Sequence, residues 1–133
     1  MAGVSFEQDD QPSDSTGMIL TVPIAPRAAS RPRFGKNGCV YTDSTYKQWL
    51  SDFQQLAMRL WEHPTVHHCN HLEVVFNGPT KRGDLDNYLK AALDGLVYAG
   101  VLKNDNLTVL DSIETRFIKL VGSDPWIWFK IQI

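Results

Sequence analysis

The chain has 133 residues, 43% of them hydrophobic, enough for one domain with one core and too few for two. Its net charge of −2 singles out no polyanionic partner. It has no run of 18 apolar residues, and its first residues lack the basic-then-apolar order of a secretory signal. An intracellular, cytoplasmic chain without a membrane segment is therefore expected. Its two cysteines, Cys39 and Cys69, are expected as free thiols.

Residues 1–17 carry Glu7, Asp9, Asp10 and Asp14 and no base, and read as a disordered acidic tail. The remaining 18–133 form the single expected domain, with 13 bases against 11 acids. Residues 18–22, closed by Pro23, read as a first strand, and 39–42 as a second. Between them, residues 26–38 read as a loop bearing Arg27, Arg31, Arg33 and Lys36 and no acid. A helix follows, capped by Asp43 or Ser44 and ended by Pro64. Its Trp49, Leu50, Phe53, Leu56, Ala57 and Leu60 share one face.

Residues 71–77 alternate Leu72, Val74 and Phe76 as a strand. Residues 87–99 form a second helix stopped by Gly100, with Leu89, Leu93, Leu96 and Val97 on one face. Residues 107–121 read as mostly extended. Residues 126–133 are a last strand with Ile127, Phe129, Ile131 and Ile133 on one side. The order ββαβαββ predicts an α+β two-layer sandwich, a mixed sheet with two main helices on one face.

The informative stretch is Arg82-Gly83-Asp84-Leu85-Asp86-Asn87-Tyr88-Leu89-Lys90, followed by Asp105. In extended backbone, residues two apart point to the same side, so Asp84 and Asp86 repel unless a cation lies between them. Hard cations such as Mg²⁺ prefer such oxygen donors and keep sites open for water and phosphate. Asp105 can join them only if the chain doubles back after a helix about 20 Å long. The plainer reading of the acids is a helix cap and turn formers. Lys90, four residues after Asp86, lies on the same helical face, as an ion-pair partner or as a cation beside a phosphate. Asp94, a turn further on, suits a structural pairing with Lys90.

With Ala91, Asp94, Leu96 and the run Ala99-Gly100-Val101, these residues resemble the RusA Holliday junction resolvases of bacteria and their phages. The similarity is close from Arg82 to Val109. It implies a homodimer with two active sites, each holding Mg²⁺ (or Mn²⁺) on Asp84, Asp86 and Asp105 with Lys90 assisting, and needing no small-molecule cofactor. The implied reaction is paired phosphodiester hydrolysis on branched DNA such as a four-way junction, in recombination and repair. Two positions depart from the family pattern. Asn104 replaces the first of two paired acids, and Gly83 stands where a basic residue often precedes the first aspartate.

On that reading Arg27, Arg31, Arg33, Lys36, Lys81, Arg82 and Lys103 are the expected DNA-backbone contacts, with Phe34 and Tyr41 able to stack on unpaired bases. Trp49, Trp61, Trp126 and Trp128 suit a core or dimer interface better than base stacking. The group His63, His67, His68, His71 and Cys69 lacks the paired spacing of a zinc site. Two alternatives remain open. One is a junction-binding protein that has lost cutting. The other is a transferase using its Asp-x-Asp for a nucleotide sugar, although no glycine-rich phosphate loop is present.

Overall fold

A computed structural model describes residues 17–30, 43–79, 82–120 and 122–133, and the backbone alone at 33–34 and 40–41. The elements are β1 (Gly17–Val22), β2 (Arg33–Phe34), β3 (Val40–Tyr41), α1 (Ser44–Leu60), β4 (His71–Gly78), α2 (Leu85–Tyr98), β5 (Ile113–Lys119) and β6 (Trp126–Gln132). Four strands form a mixed sheet in the order β1-β6-β4-β5. β6 runs antiparallel to both β1 and β4, whereas β5 lies parallel to β4. Strands β2 and β3 pair separately.

Alternation places the core. Leu20 and Val22 of β1, Leu72, Val74 and Phe76 of β4, and Ile127, Phe129 and Ile131 of β6 are buried. They share a cluster with Tyr46, Trp49, Leu50, Phe53 and Ala57 of α1 and Ala91, Ala92, Leu93 and Leu96 of α2. Burying a side chain as large as Phe53 or Phe129 contributes roughly 2–3 kcal/mol. The helices meet at a glycine. A Cβ on Gly95 would lie 2.6 Å from the Phe53 ring, so only glycine admits this crossing. The α+β sandwich expected from the sequence is present.

Several boundaries differ. The loop expected over 26–38 contains the strand β2, paired antiparallel with β3. Helix α1 ends at Leu60, ahead of Pro64, where Trp61 turns extended. Helix α2 begins two residues before the expected start, at Leu85. Residues 107–112 are not strand: Val109 and Leu110 donate backbone bonds to Asn106 O in a turn, and β5 starts only at Ile113. Ile133 is 64% exposed and lies outside β6.

Candidate active site

Asp84 is the N-cap of α2, with φ −102° and ψ 137°, yet its carboxylate makes no capping hydrogen bond. An N-cap aspartate ordinarily accepts from the second or third helical N–H. Here only its backbone carbonyl serves the helix, accepting from Asn87 and Tyr88. The side chain is left exposed, next to exposed Asp86 in the first turn. Acids there are favoured by the helix dipole, which also suits a purely structural role.

One turn on, Lys90 donates to Asp94 at 3.1 Å, and Asp94 accepts the Tyr46 hydroxyl at 2.9 Å. The structural pairing anticipated for Asp94 is present, and Tyr46 is a participant that the sequence did not disclose. Burial, reinforced by the bond to Asp94, pushes the Tyr46 hydroxyl pKa well up, so it remains a donor.

The segment before β2 is fastened to this end of α2. Ala29 N donates to Asn87 O at 2.9 Å, and Trp49 Nε1 donates to Ala25 O at 2.8 Å. Arg27 donates to Thr45 Oγ1 at 2.9 Å, pairs with the cap residue Asp43 at 3.3 Å, and lies over the Tyr46 ring. Arg27, expected to contact DNA, thus also anchors the segment to α1. Arg82 is exposed beside Asp84 and lines a hollow of about 420 Å³ with Gly83, Leu85, Tyr88, Thr115, Arg116 and Phe117. Arg31, Lys36 and Lys81, and the side chains of Arg33, Phe34 and Tyr41, lie outside the described residues.

Asp105 stands elsewhere. After α2, Gly100 takes φ +78° and Val101 N caps Leu96 O. Leu102 and Leu110 then bridge to Val66 and Cys69, just before β4 begins. Asp105, half-buried in the loop between these bridges, and exposed Lys103 are therefore at the C-terminal end of α2. Asp84 and Asp86 are at its N-terminal end, and a 14-residue helix spans roughly 20 Å. The returning strand β5 brings Thr115, Arg116 and Phe117 to the Asp84 end, and leaves Asp105 behind. Among the described residues, no three carboxylate, histidine or cysteine groups lie together as a metal-binding set.

The histidine group is dispersed. His68 meets Asp111 at 2.9 Å, His71 meets Ser112, and His63 packs on Trp61. The buried Cys69 thiol donates to His71 O, and burial raises its pKa. No helix is long and apolar enough to cross a membrane among the described residues.

The sequence matches the family model described as Endodeoxyribonuclease RusA over residues 23–132, nearly the whole chain. The chain belongs to the RusA endodeoxyribonuclease family. Among curated proteins there is no match.

Proposed function

We propose that this chain is a Mg²⁺-dependent endodeoxyribonuclease that resolves Holliday junctions and related branched DNA by paired strand cuts. The observation carrying this reading is the Asp84 carboxylate, which forgoes its own helix to stand open beside Asp86, in a chain of a DNA-cutting family. The donors suit the ion: exposed carboxylate oxygens two residues apart are hard ligands, and Mg²⁺ commonly takes one or two carboxylates together with waters and phosphate oxygens. A divalent ion bound there would acidify water and offset negative charge on the phosphate.

The residues of the chain set the rest. Lys90, steadied by Asp94, brings positive charge to the face that Asp86 shares, where a phosphate approaching the α2 N-terminus would gather charge. Arg82 holds the DNA backbone at this end, with the segment that Arg27 ties down; Arg31, Arg33, Lys36 and Lys81 are assigned to backbone contacts from the sequence alone. Lys103 serves the Asp105 end.

Asp105 completes the acidic set in a homodimer. One chain holds its aspartates at opposite ends of α2, so the third ligand of each site comes from the partner subunit. Two such sites related by a two-fold suit a four-way junction, whose opposing strands are related in the same way. The family match favours this over a nucleotide-sugar transferase.

The test is a synthetic four-way junction incubated with the protein and Mg²⁺ or Mn²⁺. Paired nicks in opposing strands are expected, and Asp84→Asn should still bind the junction but lose cutting. Binding without nicks by the unmodified protein in either metal would leave a non-cutting junction binder. Cutting by Asp84→Asn at the unmodified rate would remove the metal site.

A further inference from the structure

We propose that the sheet face turned away from the helices is a platform for single-stranded DNA, with Trp126 and Trp128 stacking on unpaired bases. This rests on the branched-DNA reading above and names the part of the substrate that the face takes, an unpaired strand leaving the branch.

Alternation puts the two rings there. In β6, Ile127, Phe129 and Ile131 enter the core with the residues of both helices, so Trp126 and Trp128 stand on the opposite face. Neither is fully buried. Trp49 lies in the core, as expected of the tryptophans, and these two do not. Their polar handles differ as well. Trp49 and Trp61 donate their indole N–H groups to the Ala25 and Pro64 carbonyls, at 2.8 and 3.2 Å. Trp126 and Trp128 donate to no acceptor among the described residues, and no aromatic ring there packs on them. Tryptophans inside a protein usually find a partner for the N–H, whereas these keep ring and donor available to a ligand.

Register fills in the face. Trp128 lies between Thr21 of β1 and Val75 of β4, and Val75 lies beside Arg116 of β5. Trp126 lies opposite Asn77, whose other neighbour is Ile118. The result is a largely apolar band with exposed Arg116 on its β5 side. Residues two apart on one strand stand roughly 7 Å apart, so an extended single strand can lay bases on both rings. Such stacking reads no sequence, because every base has a π face.

The end of the band selects the occupant. Trp126 and Asn77 lie at the end of the sheet from which Gly78 leads on towards Arg82 and Asp84. Arg116 also lines the hollow beside Asp84 that Arg82 borders. Two guanidinium groups thus join the open aspartates to the tryptophans. A strand held near Asp84 passes Arg82 and Arg116, which take its phosphates, and continues over Trp126 and Trp128.

Titrating the full chain with oligothymidine, without divalent metal, tests this through tryptophan fluorescence. Quenching is expected with oligothymidine and not with an abasic strand of the same length, which has the phosphates but no bases to stack. Trp126→Leu and Trp128→Leu together should weaken binding of a labelled oligothymidine at least roughly tenfold, the scale of losing one stacked base. Trp126→Phe and Trp128→Phe together should keep most of the affinity and lose most of the quenching, since Trp49 and Trp61 lie away from the strand. Circular dichroism checks both pairs, and the phenylalanine pair decides the matter should the leucine pair not fold. Equal binding of the abasic strand, unchanged affinity of the leucine pair, or full quenching in the phenylalanine pair overturns the platform. A dimer that the leucine pair turns into monomer on sedimentation gives the face to the second copy, which also overturns it. The binding needs neither metal nor cutting, so it can hold where nicking fails and fail where nicking holds.

Discussion

Tyr46 of α1 and Asp94 of α2 are joined by a 2.9 Å hydrogen bond, with the Lys90 ammonium on the other carboxylate oxygen. The bond crosses between the two helices just below the open aspartates, so it both stabilises the helix pair and sets where Lys90 can reach. We expect Tyr46→Phe to lower unfolding free energy by about 1–2 kcal/mol, the usual range for a hydrogen bond to a charged group. Urea unfolding measures it; an unchanged midpoint would show that the bond contributes nothing.

Lys90 separates structure from chemistry. Its pair with Asp94 is an exposed i,i+4 contact, the ammonium side chain being 61% exposed, and such pairs contribute only a few tenths of a kcal/mol. Lys90→Met should therefore unfold at nearly the same urea concentration while cutting junctions at least roughly 100-fold more slowly, the scale of losing one charge-stabilising donor. Equal cutting by Lys90→Met would leave the lysine as a surface ion pair only.

Gly95 is required by packing. Gly95→Ala should destabilise by about 1–3 kcal/mol, the cost of overpacking, despite alanine's better helix propensity of about 1 kcal/mol. The clash is with the fully buried Phe53 ring, which has no room to swing away. Combining it with Phe53→Leu should make the glycine change cheaper than it is alone, as a double-mutant cycle in urea would reveal. Strict additivity would contradict the contact.

Much of the sheet and both helices could be read in the sequence because burial on one face leaves a period. Leu72, Val74 and Phe76, or Ile127, Phe129 and Ile131, announce strands by alternation, and Gly100 stops α2 as read. Two things were hidden. Residues 107–112 are polar and β-branched enough to suggest extension, but Asn106 gathers the backbone bonds of Val109 and Leu110 into a turn. The sequence brings Asp105 to Asp84 and Asp86 only if the strand after α2 doubles back. The strand does double back, as β5, but it starts eight residues after Asp105 and carries other side chains to the site. Spacing along a chain gives the length of the helix between two acids. It does not say what lies across the gap.

The proposed site shared between two subunits makes a demand that no single-chain site can meet. Asp84→Asn and Asp105→Asn chains are each expected to be inactive on a four-way junction. Mixed, unfolded and refolded together, they should regain cutting, because a heterodimer then contains one site with Asp84 from one chain and Asp105 from the other, both intact. Restored nicking in the mixture, at a fraction of the unmodified rate, is the predicted result. A mixture as inactive as its components, with heterodimer formation verified, would contradict a site built from two subunits.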